Sequence, residues 1–302
     1  MKNIDYRHNV PPSFKAKLIV SAMGLIGIKK RMEQKMISND FEKKPAEPPR
    51  SLRGNFDVRE KKQNGRKVWT IAPKEGKSHV IIVYLHGGAY MANITKQHWN
   101  LIEKLIHKKN STMVVPDYPL APEASCKETY EFIGRLYAKL IAEHPKKSII
   151  LMGDSAGGGL ALGFAQQLRN ENKKQPHQLI LFSPWLDVTM SDPDLPLLDK
   201  EDKILSIRGL RDAGQKYAGD LDLKDHRVSP IYGSLNGLCR ISIFTGTKDI
   251  LNADAKRCKK LMRDLQADLD YFEYPDMFHD WVIFTGLKES VHGINRANRL
   301  IG

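Results

Sequence analysis

Residues 151–160 read LMGDSAGGGL. The run Ser148 to Met152 is short, apolar and partly β-branched, which predicts a buried strand. From Ala156 to Leu168 the residues are good helix formers with apolar positions at helical spacing, despite the early glycines. Gly153-Asp154-Ser155-Ala156-Gly157 therefore sits between a strand and a helix. This is a G-x-S-x-G pattern in the context it needs: glycines that let strand, turn and helix approach closely, and a serine forced into a tight turn above a sheet. The helix N-terminus behind that serine favours developing negative charge. Ser155 is accordingly the candidate nucleophile.

The alternation of elements extends outward from this turn. Strands are predicted near 52–58, 67–72, 79–85, 112–116, 148–152, 178–182, 241–245 and 269–274, with helices over 100–109, 127–144 and 156–169. Asn64-Gly65 marks a hairpin between the first two strands. Eight strands in this rhythm imply an α/β fold, a mostly parallel sheet covered by helices on both faces with an antiparallel start. Nearly sixty residues separate the strands at 178–182 and 241–245, and include SDPDLPLLDKED (191–202) and a helix-like IRGLRDAGQKYAGD (207–220). A gap of that length inside an α/β domain predicts an insertion over the site.

A serine hydroxyl needs a base, and the base needs an orienting partner. In open α/β sheets ligands gather at the carboxyl ends of the strands. Asp249 follows the strand ISIFTG (241–246), and His279 lies in the loop after LDYFEY (269–274). The chain order Ser155, Asp249, His279 is the order expected for this architecture. Asp254 and Asp276 are rival carboxylates, and His292 falls in a terminal helix instead. YLHGGAY (84–90) ends a strand in two glycines, so backbone N–H groups of Gly88 and Ala89, with that of Ala156, are candidate oxyanion donors. Gly87 stands in reserve should Ala89 not serve.

Composition narrows the classes. The 302 residues are 41% hydrophobic and 27% charged, ordinary for a globular protein with a large core. Three scattered cysteines, Cys126, Cys239 and Cys258, have no metal or redox spacing and fit a reducing compartment, so a cytoplasmic location is expected. The net charge of +13 is concentrated: residues 1–77 carry +11 and the remainder about +2. No nucleic-acid motif accompanies the basic arm, and its aromatics are not interleaved with basic residues, so nucleic acid is not an expected partner. No metal cluster and no phosphate-binding loop are present in the pattern, and no cofactor is expected. LIVSAMGLIGI (18–28) is too short to span a bilayer and lacks a signal-peptide cleavage site. A helix covering the acyl pocket is the first expectation for it, and membrane-surface contact the second.

HGGAY, DYPLAPE (117–123), GDSAGGG, SPWLD (183–187), GTKDIL and MFHDW together resemble the hormone-sensitive-lipase-like family of α/β-hydrolases, in its bacterial esterase branch. The resemblance runs from about residue 79 to the C-terminus. It implies an eight-stranded α/β-hydrolase sheet, Ser155 as nucleophile with Asp249 and His279 as partners, and the HGG segment as oxyanion hole. It also implies a helical cap built from residues 1–50 and an insertion at about 187–230, the catalytic domain being 51–302. The expected activity is that of a serine carboxylesterase on small short-chain acyl esters. An amidase, lactonase or deacetylase using the same triad is the alternative, and a non-catalytic small-molecule binding module the remote one. Two positions depart from the family pattern: Ala89 stands where a third glycine is common, and Pro119 where an arginine is common.

Overall fold

In the computed structural model, which describes residues 2–42, 44–75, 78–106 and 111–301, nine strands form one sheet. The chain starts with β1 (Asp5–Arg7), α1 (Phe14–Leu25), α2 (Ile28–Ser38) and α3 (Arg50–Asn55), then the hairpin β2 (Phe56–Gln63) and β3 (Arg66–Pro73). Next come β4 (Val80–Leu85), α4 (Lys96–Ile106), β5 (Ser111–Pro116), α5 (Cys126–Glu143), β6 (Ser148–Asp154), α6 (Ser155–Asn170) and β7 (Gln178–Phe182). The insertion carries α7 (Leu195–Glu201) and α8 (Ile207–Ala218), and β8 (Arg240–Gly246), α9 (Asn252–Asp264), β9 (Leu269–Tyr274) and α10 (Lys288–Leu300) complete the chain.

The strand order is β1-β9-β8-β7-β6-β4-β5-β3-β2, with β3 antiparallel to both β2 and β5 and every other pairing parallel. Alternation across the pleat divides the core. Ile81, Val83 and Leu85 join one buried layer, and Ile82 and Tyr84 the other. Both faces of β6 are likewise buried, which is why its sequence reads as a continuous apolar run.

All eight expected strands are present, with two differences. β2 begins at Phe56 rather than near residue 52, because Arg50–Asn55 form a helical turn and the charged Lys61 and Lys62 belong to the strand. Its edge position lets those lysines point to water, so polarity there hides the strand from a pattern search. The turn itself is the two residues Asn64 and Gly65, with φ of 48° and 79°, joining Gln63 to Arg66. The ninth strand, β1, pairs in parallel with β9, Asp5 opposite Tyr271 and Arg7 opposite Glu273. Three residues carry no periodicity to find. Their position is held by Arg7 on Glu273 at 3.2 Å and Lys259 on Asp5 at 2.6 Å. The part of the helix expected over 100–109 that follows Ile106 lies outside the described residues.

The N-terminal helices and the insertion pack on each other. Glu33 of α2 accepts from Ser206 Oγ at 2.6 Å, Lys216 of α8 donates to the carbonyls of Met36 and Ile37 at 2.7 and 2.8 Å, and Lys29 meets Asp199 at 3.0 Å. Among the described residues no helix is long and apolar enough to cross a membrane.

Candidate active site

Ser155 is the first residue of α6, immediately beyond β6, and it holds a φ of 50°. A non-glycine residue in that region is strained, and packing on both sides maintains it. A Cβ on Gly153 would lie 2.5 Å from Gly157, and one on Gly157 would lie 2.0 Å from the carbonyl oxygen of Leu85. The glycines of the motif are there because strand, helix and the end of β4 touch at the turn.

His279 Nε2 lies 3.0 Å from Ser155 Oγ, and His279 Nδ1 lies 3.1 Å from each carboxylate oxygen of Asp249. All three side chains are buried. The three residues taken from three separate strand ends, up to 124 positions apart, are thus brought into one hydrogen-bonded line. Asp249 Oδ1 also accepts from the N–H of Leu251 at 2.9 Å, which fixes the carboxylate. Burial disfavours a charged imidazole, but the Asp249 and Asp280 carboxylates outweigh it and hold His279 well above its ordinary value.

The rival carboxylates sit elsewhere. Asp254 accepts from the N–H groups of Leu186 and Asp187 at 3.0 and 2.9 Å, tying the SPWLD loop to α9, and burial beside Asp187 raises it well above the carboxylate range. Asp276 is exposed and pairs with Lys248 at 3.3 Å. His292 bonds the Tyr274 hydroxyl at 2.9 Å and packs against His8 and Tyr6. The three thiols are no rival nucleophiles, since burial pushes each up to about 12.

The HGG loop approaches Ser155 from the end of β4. Gly88, Ala89 and Tyr90 hold φ of 119°, 54° and 60°, three successive residues at positive φ. Among the described residues the N–H groups of Gly88 and Ala89 have no acceptor, and that of Ala156 opens the first turn of α6. Gly87 must be corrected: its N–H donates to Asp154 Oδ2 at 2.9 Å and is not available to an oxyanion. Its role is close approach, because a Cβ there would lie 2.3 Å from Asp154 and 3.0 Å from Ser155 Cβ. The ring of Tyr90 stacks on Tyr217 of α8 at 3.6 Å and 5°, so the insertion rests directly on this loop. Pro119 offers only its carbonyl, which accepts from Thr129 at 2.8 Å. The neighbouring Tyr118 carbonyl accepts from Arg66 at 3.2 Å, so an arginine reaches this segment from the hairpin.

Three groups around the site carry no sequence signal. Asp154, inside the motif, accepts from Gly87, from the Tyr84 hydroxyl and from His98 Nε2 at 3.2 Å. Burial opposes its ionisation, yet His98 and the hydrogen bonds hold it below its usual value, and the same pairing raises His98. Asp202 of the insertion accepts from the N–H of Ile250 at 2.8 Å, beside Asp249; burial and the Asp249 charge push it up to about 6. Asp280 is the third. It follows His279 in sequence at a φ of 52°, and its Oδ2 lies 3.1 Å from His279 Nε2, on the side that faces Ser155. Burial pushes its carboxyl up to about 6, with His279 opposing.

Among the described residues no cluster of three His, Cys, Asp or Glu side chains could hold a metal. The arrangement as it stands offers a hydroxyl on a base, the base on a carboxylate, and uncommitted N–H donors beside the hydroxyl.

The α/β-hydrolase fold family matches the chain over residues 82–283. An esterase of Acinetobacter venetianus is 33% identical over 207 residues, which span 68% of this chain and 68% of that one. A crystal structure of an esterase candidate from Staphylococcus aureus superposes with a TM-score of 0.81 at 29% identity, over 90% of this chain and 91% of the other. A crystal structure of an esterase from the bacterial hormone-sensitive lipase family gives 0.80 at 22% identity, over 96% and 98%, a likeness of fold.

Proposed function

Since this chain belongs to the hormone-sensitive-lipase-like α/β-hydrolases and is a carboxylic ester hydrolase, we propose that it is a serine esterase of small short-chain acyl esters working through an acyl-enzyme. The observation that carries this reading is the line Ser155 Oγ, His279 Nε2, Nδ1 and Asp249, with 3.0 and 3.1 Å separations. Ser155 Oγ attacks the acyl carbon while His279 takes its proton, and Asp249 orients the imidazole and stabilises its charged form. The N–H groups of Gly88, Ala89 and Ala156 receive the oxyanion, which forms only as the carbon becomes tetrahedral. His279 then protonates the departing alcohol, and water activated by the same base releases the acid. No resident cofactor is needed for any step.

The preference for short chains rests on enclosure. Ser155 and His279 are buried, and Tyr90, Trp185 and Tyr217 stack above the HGG loop. In this reading α1, α2, α7 and α8 form the cap, and Asp202 joins it to the loop of Asp249. Three unpaired cysteines support a cytoplasmic location. The test is a series of p-nitrophenyl esters from acetyl to palmitoyl, with a lactone and an anilide alongside. kcat/KM is expected to fall at least about tenfold between butyrate and decanoate, because an enclosed pocket excludes added methylenes. A preference for palmitate, or an anilide cleaved faster than the matching ester, overturns the substrate assignment.

Asp280 gives a separate prediction. The base must be neutral to act, so any charge that raises His279 extends the protonated, inactive form to higher pH. Asp280 does this when ionised, above about 6. Other charges near the imidazole are Asp249 and Asp202, with Asp154 beyond Asp280. Asp280→Asn removes one anion at 3.1 Å. The acid limb of kcat/KM is then expected to move down by about one pH unit, while plateau kcat drops severalfold because the imidazolium of the transition state loses a partner. An unmoved limb in a folded variant shows that Asp280 does not act on the base.

A further inference from the structure

The helix α1 has two faces, and packing against the core explains one of them. On the inner face of α1 Ala16 is buried, and Ile19, Val20 and Met23 pack half-buried against the layer that contains Phe278. On the outer face Phe14, Leu18 and Leu25 are 83%, 58% and 89% exposed. These three share one stripe, at i, i+4 and i+11, about 16 Å long. Lys15 and Lys17 border it, one on each side. The stripe continues past the helix: Ile26 is exposed, and Lys29 on Asp199 holds this end beside α7, whose Leu197 is 68% exposed.

Charge selects the occupant. Between residues 6 and 32 there are six Lys and Arg and no Asp or Glu. Lys17, Lys30 and Arg31 make no ion pair among the described residues. An apolar stripe with lysines on both flanks is the pattern of a helix lying in a lipid interface, rings and aliphatic chains in the acyl boundary and ammonium groups among anionic headgroups. A second copy docked on the same face would bring two such basic clusters together, which like-charge repulsion opposes. At 12 residues α1 cannot span a bilayer.

We propose that the outer face of α1 is a docking surface for an anionic lipid bilayer, seating the protein on the membrane in the interfacial plane. The proposal stands on this face alone and holds whatever ester the enzyme cleaves.

The test uses the full chain and vesicles of phosphatidylcholine alone or with 30% phosphatidylglycerol. The wild type is expected to co-sediment with the anionic vesicles, at least about tenfold more tightly than with neutral ones, and to release as salt rises toward 0.5 M. The Phe14→Ser/Leu18→Ser/Leu25→Ser triple variant is expected to lose on the order of 10²-fold in vesicle affinity, with hydrolysis of a soluble ester within about twofold of wild type, since these side chains face away from the core layer that the inner face of α1 packs on. Lys17→Gln/Lys30→Gln is expected to weaken binding to anionic vesicles only. Absence of vesicle binding overturns the proposal. So does binding that the triple variant leaves intact, which would be electrostatic adsorption, or a wild-type dimer in sedimentation that the triple variant turns to monomer without any vesicle affinity in either.

Discussion

Ser155→Ala is expected to lower kcat on a short-chain ester on the order of 10⁶-fold, leaving only the turnover that the oxyanion donors and binding support. The effect is large because nothing nearby can substitute. Ser183, the neighbouring buried serine, accepts from the Asp280 N–H at 3.3 Å, and no hydrogen bond joins it to His279 among the described residues. The change should not disturb the fold, since alanine and serine share the backbone cost of the 50° φ and the Oγ makes no contact that the strand or helix depends on. The melting temperature is therefore expected to stay within a few degrees of wild type. A serine-directed phosphonate should add one adduct per wild-type chain, at Ser155, and none to the variant. Activity within tenfold of wild type, or an adduct on another serine, removes Ser155 from the mechanism.

Asp249→Asn should cost about 10⁴-fold in kcat while leaving the protein folded. The carboxylate does two things at once: it accepts the Nδ1 proton, so that the lone pair of Nε2 faces Ser155, and it stabilises the imidazolium that forms during attack. An asparagine amide presents a donor to Nδ1 as readily as an acceptor, and the wrong tautomer then dominates. The control carboxylates separate this from general electrostatics. Asp276→Asn, exposed beside Lys248, should leave kcat within about threefold. Asp254→Asn should also be mild, because Asp254 makes no hydrogen bond to His279 among the described residues and an amide oxygen can still accept from Leu186 and Asp187. A crippled Asp276→Asn beside an active Asp249→Asn would reassign the acid.

Much of this architecture was legible because it depends on local pattern. A buried parallel strand reads as an apolar run, a strand-to-helix turn needs its glycines, and Ser155, Asp249 and His279 each follow a strand within a few residues. What escaped depends on pairing across distance. Asp154 and His98 stand 56 positions apart with no spacing to link them, and Asp202 meets the Asp249 loop only through the packing of the insertion. Asp280 was in plain view beside His279, but its significance lies in a side chain turned back by a left-handed backbone, which composition does not encode. The same holds for Gly87. Its place in the HGG run suggests a donor, and only the partner of its N–H shows that it braces Asp154 instead. Leucines at α1 gave no hint of which would face water, because both sides of that helix are apolar.

The three residues of β1 have a bearing on how the proposed cap can be dissected. Because they pair along β9, the polypeptide leaves one margin of the sheet, runs through α1 and α2, and rejoins the sheet at the opposite margin in β2. The first fifty residues are thus a span anchored at both ends, and a truncation at residue 45 would do more than remove α1 and α2. It would uncover the backbone donors and acceptors of Leu269–Tyr274, a strand buried at every position, and offer them to the same strand of another molecule. Precipitation of such a fragment would report on an unprotected margin and reveal nothing about the cap. A deletion that begins after His8 and keeps Asp5, Tyr6 and Arg7 in place, closed by a flexible linker to Arg50, isolates the helices while leaving that margin sealed.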